Sequence, residues 1–367
     1  MPKGKIRVLV VDDSAFMRKF LGDIICGDSE LELAGTARDG EDALAKREYI
    51  KPDVMTMDID MPKLDGLSTL RRLMEKAPIP VIMVSSHTKK GSETTLEALS
   101  AGAVDFIGKP SALMQGEGVE EIRAILPQKI KAAAGARLFP RREPLKADFL
   151  KPDPQRGLSA KPAGISVPET RPPAAGKNFH FLTSGYVVLI GASTGGPRSL
   201  EDVFSSFPAN FPAAVLVTQH MPPQFTDSFA KRLDRVSGLK VLEARGGEKI
   251  SPGCAYVAPG GYHLIVEKGV TSLSQAPPVQ YVRPSADVMM DSAAQFYKKK
   301  TIGVILTGMG RDGTDGMAEI KKYGGRTIVQ DPSTAVIASM PQTVISHGLA
   351  DEVVPLTEIA GAVMRLL

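Results

Sequence analysis

The sequence predicts an α/β fold in two parts, each carrying a largely parallel sheet. Three observations predict it. Short apolar runs alternate with amphipathic helical stretches in both halves. A proline-punctuated basic stretch separates the halves, and the 367 residues exceed what one ordinary domain holds.

In the first half, strand-like runs fall at residues 6–11, 31–37, 54–57, 81–84 and 104–107. A helix is expected at 14–25 with Ser14 as its cap, and others around 67–74 and 96–101. Five strands with intervening helices predict a five-stranded, doubly wound parallel sheet of flavodoxin type. Active groups in such a sheet collect at the carboxyl ends of the strands. Periodicity stops between 135 and 184, where Pro140, Pro144, Pro152, Pro154, Pro162, Pro168, Pro172 and Pro173 recur among basic and small residues. A linker over 131–184 is therefore expected, joining domains at 1–130 and 185–367. In the second domain, strand runs at 186–190, 214–218, 255–257, 263–266, 302–306 and 327–330 alternate with helical stretches such as 225–236 and 286–297. A second α/β domain with a mainly parallel sheet is predicted.

Composition narrows the function classes. No apolar run is long enough to span a membrane, and the charged N-terminus does not read as a signal peptide. Two cysteines, Cys26 and Cys254, provide neither a disulfide framework nor a thiolate metal site, and they fit a reducing cytoplasm. Of the net charge of +4, residues 1–125 carry −4, residues 126–184 carry +7 and residues 185–367 carry +1. The basic excess lies on the linker and not on a domain face, which argues against nucleic-acid binding.

The first strand runs into Asp12 and Asp13, the third ends at Asp58, the fourth at Ser85 and Ser86, and Lys109 follows the fifth. Acids after strands often cap helices or turns. Carboxylates gathered at one sheet edge repel one another, however, and a divalent cation relieves that repulsion. With the cation bound, Asp58 could attack phosphorus while Ser85 and Lys109 hold the phosphoryl oxygens. These residues, with Val10-Val11-Asp12-Asp13-Ser14, Met57-Asp58-Ile59-Asp60-Met61-Pro62, Asp65-Gly66 and Gly108-Lys109-Pro110, resemble a response-regulator receiver domain over residues 4–130. The resemblance implies that Asp58 accepts phosphate from a histidine kinase. It implies Mg²⁺ held by Asp13, Asp58 and the Asp60 carbonyl, with Asp12 nearby. Ser85 and Phe106 take the places of the family's hydroxyl and aromatic switch.

In the second domain a strand leads into Gly191-Ala192-Ser193-Thr194-Gly195-Gly196-Pro197. Small residues around Ser193 permit a sharp turn that exposes its hydroxyl, as in a nucleophile elbow. A phosphate cradle or a purely structural turn fits the same residues, although no P-loop lysine follows. Serine needs a base, and the histidines are His87, His180, His220, His263 and His347. Position favours His220, which follows the strand at 214–218. Asp312, in the glycine-rich turn after the strand at 302–306, is the candidate carboxylate. The order serine, histidine, aspartate differs from that of an α/β-hydrolase.

The Ser193 turn, Gln219-His220-Met221-Pro222 and the loop at 307–313 resemble the catalytic domain of the chemotaxis protein-glutamate methylesterase family over residues 185–367. The resemblance implies hydrolysis of γ-glutamyl methyl esters, and deamidation of glutamines, on chemotaxis receptors. It implies that the Met309 N–H stabilises the oxyanion and that no metal serves this step. The unphosphorylated receiver is expected to lie over the Ser193 site. A DNA-binding output and a non-catalytic adaptor are the rivals. No helix-turn-helix pattern supports the first, and the complete set of triad residue types opposes the second.

Overall fold

The structure, a computed structural model, describes residues 4–86, 88–109, 117–138 and 185–367. The first sheet has β1 (Ile6–Val11), β2 (Leu31–Ala37), β3 (Val54–Asp58), β4 (Val81–Ser85) and β5 (Asp105–Gly108). Its helices are α1 (Ala15–Cys26), α2 (Gly40–Ile50), α3 (Gly66–Lys76), α4 (Lys89–Ala101) and α5 (Glu117–Ala134). The strands lie in the order β2-β1-β3-β4-β5 and all pair in parallel. Val8 to Val11 and Val81 to Val84 are wholly buried, which fits strands covered by helices on both faces. The helix starts are capped by side chains: Ser14 accepts from Met17 N, Asp39 from Asp42 N and Asp65 from Ser68 N.

The second sheet has β6 (Val187–Ala192), β7 (Ala214–Gln219), β8 (Lys240–Glu243), β9 (Cys254–Val257), β12 (Thr301–Ile305), β13 (Arg326–Gln330) and β14 (Glu352–Val354), with β10 (His263–Glu267) and β11 (Val270–Ser274) forming a separate hairpin. Its helices are α6 (Gly196–Ser205), α7 (Pro223–Val236), α8 (Ala286–Tyr297), α9 (Thr314–Lys322), α10 (Ser339–Ser346) and α11 (Ile359–Leu366). The order is β14-β13-β12-β6-β7-β9-β8, again all parallel. The chain leaves β6 towards β7 on one side and reaches β12 on the other. That reversal of strand order opens a crevice at the carboxyl ends of β6, β7 and β12.

The two-part α/β class predicted from sequence is the one observed. The edge strands β8 and β14 escaped prediction because they are short and half-exposed, with no continuous apolar run. Among the described residues, helix α5 continues to Ala134, past the expected domain end. Ala136 and Leu138 then pack against the core of the first sheet, and Arg137 N donates to Val336 O at 3.0 Å. The proline-rich remainder of the expected linker, 139–184, lies outside the described residues, as do His87, His180 and Pro110. One buried apolar cluster runs from Met57, Met83 and Phe106 of the first sheet to Phe225 of α7, Phe204 of α6 and Val217 of β7.

Candidate active site

At the end of β6 the chain turns sharply through Ser193. Gly195 takes a positive φ of 78° as the residue before α6, a conformation that costs glycine little and a β-branched residue much. Ser193 N donates to Thr307 O at 3.0 Å, and Gly196 N donates to Ser193 O at 2.7 Å. The loop after β12 comes still closer. A Cβ on Gly308 would stand 2.8 Å from the Ser193 Cβ and 2.1 Å from Met340 Sδ, so no larger residue fits there. Met309, the next residue, is half-buried.

His220 follows β7, its N–H donating to Ala192 O at 3.1 Å. Its Nδ1 lies 3.0 Å from Ser193 Oγ and its Nε2 2.7 Å from Asp312 Oδ2. A carboxylate only accepts, so in the neutral ring the proton sits on Nε2 and the Nδ1 lone pair faces the serine hydroxyl. The two ring nitrogens thus exchange the places they hold in a serine protease.

Asp312 is buried and carries three further donors. Ala286 N reaches Oδ2 at 2.6 Å, while Ser285 Oγ at 2.7 Å and Asp287 N at 3.1 Å reach Oδ1. Ala286 and Asp287 open α8, so the carboxylate sits on a helix N-terminus, where backbone N–H groups and the helix dipole favour negative charge. Burial alone would raise its pKa. The His220 ring, Ser285 and the α8 amides overcome that and hold it well below the usual carboxylate range.

Of the other candidate bases, buried His263 is engaged at both nitrogens. Its Nδ1 accepts from Ser285 N at 3.2 Å and its Nε2 faces Pro277 O at 3.2 Å. His347 is exposed at the end of α10, with Nδ1 2.8 Å from Thr343 O.

Several residues that build the site carried no chemical signal in the sequence. Gln219 donates from Nε2 to both Ser193 O (3.0 Å) and His220 O (3.1 Å), tying the two turns together. Gln330 Oε1 accepts from Thr307 N at 2.8 Å and anchors the Asp312 loop to β13. Ser285 reads as a helix cap, a signal available from sequence, but its hydroxyl goes to Asp312.

At the carboxyl edge of the first sheet, Asp12, Asp13 and Asp58 each offer a carboxylate oxygen, all within 4.8 Å of one another. Lys109 Nζ lies 2.7 Å from Asp58 Oδ2 and 3.3 Å from Asp12 Oδ2. Burial pushes Asp58 up to about 6, against the pull of Lys109, and raises Asp12 in the same way. Burial would lower Lys109, but the Asp58 and Asp12 charges hold it above its ordinary value. Two buried, electron-rich carboxylates beside a third exposed one suit a hard divalent cation. Asp60 is exposed next to Asp58, buried Ser85 Oγ accepts from Thr95 Oγ1 at 2.6 Å, and Phe106 is buried.

The sequence matches the CheB methylesterase family over residues 188–363 and the response regulator receiver domain family over residues 8–117. A protein-glutamate methylesterase/protein-glutamine glutaminase of Symbiobacterium thermophilum is 47% identical over 98% of this chain and 96% of its own length. One of Pyrococcus abyssi is 47% identical over 98% of this chain and 93% of its own length. The solved catalytic domain of Thermotoga maritima CheB methylesterase is 48% identical, covering 50% of this chain and 100% of that one, with a TM-score of 0.49. This chain belongs to the protein-glutamate methylesterase family.

In this methylesterase the receiver's β5 touches the Ser193 turn and the helix that follows His220. Thr194, adjacent to Ser193, donates from Oγ1 to Asp105 Oδ2 at 2.5 Å. Phe106 packs on Phe225 of α7, the helix that follows His220, with ring centroids 4.4 Å apart. Lys129 Nζ holds Asp105 Oδ1 and Phe106 O, each at 2.8 Å. Beyond these, Ser92 Oγ donates to Gln224 O at 3.0 Å, and Arg232, paired with Glu201, donates to Ser100 Oγ at 2.7 Å. Helix α4 and strand β5 of the methylesterase receiver thus dock directly on α6 and α7.

Proposed function

We propose that this chain is a phosphorylation-regulated serine hydrolase that cleaves γ-glutamyl methyl esters, and deamidates glutamines, on methyl-accepting chemotaxis receptors in the cytoplasm. The observation that carries the proposal is the continuous relay from Ser193 Oγ through His220 to Asp312. Ser193 Oγ attacks the ester carbonyl as its proton passes to His220 Nδ1. As the family resemblance implies, the Met309 N–H stabilises the developing oxyanion. The tetrahedral intermediate then expels methanol, or ammonia from glutamine, which takes the proton back from Nδ1. Water repeats the sequence on the acyl-serine and frees the glutamate carboxyl and Ser193. Asp312, kept ionised by α8 and Ser285, stabilises the imidazolium formed in each half-reaction. These groups act without a metal.

Asp58 is the proposed phosphate acceptor from a histidine kinase. Asp12, Asp13, Asp58 and the Asp60 carbonyl would hold Mg²⁺, which neutralises phosphoryl oxygens when bound. Lys109 and Ser85 would hold the transferred phosphoryl group, and Phe106 would report its presence through β5. Contacts from β5 to the Ser193 turn and to α7, the helix after His220, support a receiver that restrains the hydrolase until Asp58 is phosphorylated. The domain division 1–130, 131–184 and 185–367 is part of the same reading.

Methanol release from methylated receptor membranes, with and without a small phosphodonor, tests the proposal. Release that rises with the phosphodonor and disappears in Ser193→Ala is expected. Full activity in Ser193→Ala would sink the serine mechanism, and equal rates with and without the phosphodonor would sink the regulation.

A further inference from the structure

Beneath Asp312 lies a second buried carboxyl group that the hydrolytic steps leave unused. Asp287 is the second residue of α8, and its N–H is one of the donors to Asp312 Oδ1, at 3.1 Å. Its own side chain turns the other way. Oδ1 accepts from Gly316 N at 2.7 Å in the first turn of α9, and Oδ2 accepts from Gln280 Nε2 at 3.0 Å. Helix α9 begins two residues after Asp312, so one buried side chain latches the start of α8 to the start of α9. These two helices bracket the turn that presents Asp312 to His220. Space there is tight: a Cβ on Gly316 would come within 3.1 Å of the Asp287 Cα and 2.6 Å of the Met290 Cβ.

We propose that Asp287 is a positioning residue of the hydrolase, fixing the Asp312 turn against α8 and α9. The assignment rests on the serine-hydrolase reading of Ser193, His220 and Asp312.

Charge supports it. Two carboxylates this close in a buried site do not both ionise readily, and Asp312 takes the larger share of donors, including the imidazole. The titratable groups nearest Asp287 are acidic. Asp312 lies in the loop, Asp315 and Glu319 on α9, and Asp291 one turn along α8. The nearby cations are already paired, Arg311 with Asp315 and Lys322 with Glu319. Burial first, and the Asp312 charge second, push Asp287 up to about 7. Near neutrality Asp287 thus passes from a neutral acid to a second anion beside Asp312. The pair titrates as a unit, and the imidazole of His220 senses it.

The experiment compares the full chain with Asp287→Asn and Asp287→Ala. Methanol release from a peptide γ-glutamyl methyl ester gives kcat and KM between about pH 5.5 and 9. The low-field proton resonance of the His220 Nε2–H···Asp312 hydrogen bond is followed over the same range, with no substrate present. Asp287→Ala is expected to lower kcat about 10- to 100-fold with little change in KM, and to displace the resonance. Asp287→Asn, which can still accept from Gly316 N, is expected to keep kcat within about threefold and to abolish a titration step near pH 7 that the unsubstituted chain shows in the resonance. Coincident pH courses for the unsubstituted chain and Asp287→Asn would overturn the assignment, whether or not the alanine variant folds. If the unsubstituted chain shows the titrating resonance but releases no methanol, the esterase reading fails, and what stands is only that Asp287 positions the His220–Asp312 pair.

Discussion

Thr194 Oγ1 donates a 2.5 Å hydrogen bond to Asp105 Oδ2, so the residue next to the candidate nucleophile is held by a strand of the other domain. Both groups are buried, and Lys129 fixes the far oxygen of Asp105. The same strand ends one residue before Lys109, which reaches Asp58 at 2.7 Å. A covalent event at Asp58 therefore lies one short strand away from the Ser193 turn.

Cutting this link should release the hydrolase. A hydrogen bond to a charged partner contributes about 1.5–3 kcal/mol, equivalent to a tenfold or larger population shift. Asp105→Ala is expected to raise unphosphorylated methanol release about 10-fold and to shrink the further rise on adding a phosphodonor. An unchanged ratio of the two rates would show that the contact carries no restraint.

The relay itself predicts graded losses. Ser193→Ala should lower kcat by about 10⁴ to 10⁶, and His220→Ala by a similar factor, since the two act as one unit. Asp312→Asn should cost about 10⁴, because an amide next to Nε2 favours the wrong tautomer of His220. Single-turnover rates with a γ-glutamyl methyl ester measure all three. A double Ser193→Ala, His220→Ala variant no slower than either single one is also expected.

Ser285→Ala removes the hydroxyl donor from Asp312 Oδ1 but leaves the Ala286 and Asp287 amides in place. Losing one hydrogen bond to a buried carboxylate should cost about 1.5–3 kcal/mol of transition-state stabilisation, a 10- to 100-fold fall in kcat/KM. Kinetics on the purified variant would detect it, and a fall below twofold would show that the α8 amides suffice.

Asp58 links stability to pH. Its folded pKa, about 6, lies above the ordinary 3.8, so the folded chain binds the proton more tightly than the unfolded one. The contribution of Asp58 to stability therefore falls as pH rises from about 4 to 6, by a total of about 3 kcal/mol, and the loss is complete above that window. Asp58→Asn is expected to be the more stable protein at pH 8 without divalent cation, with the gap closing towards pH 4. Urea unfolding at the two pH values checks the sign.

Legibility differed between parts of the site. Asp12, Asp58 and Lys109 could be placed because each directly follows an apolar strand, and parallel strands bring their carboxyl ends to one edge. Ser193 and His220 were found by the same rule. Asp312 sits in a loop whose direction no periodicity encodes, so its approach to His220 is a property of the tertiary structure. Ser285, Gln219 and Asp287 had no comparable signal. A serine before a helix reads as a cap, and a buried acid on a helix or a buried amide at a strand end reads as an ordinary polar residue until its partners are known.

By itself, then, the sequence determined the two α/β units, the strand ends that bear the acids, the serine and the histidine, and the split of charge along the chain. Local alternation and turn chemistry encode those features, and both are properties of neighbouring residues. Tertiary structure decided which histidine pairs with the serine and which ring nitrogen does so. It also decided what keeps Asp312 ionised and where the receiver touches the hydrolase. These depend on contacts between residues far apart in the chain, such as Asp105 and Thr194 or Asp287 and Gly316, and such distances are set only when helices pack on sheets.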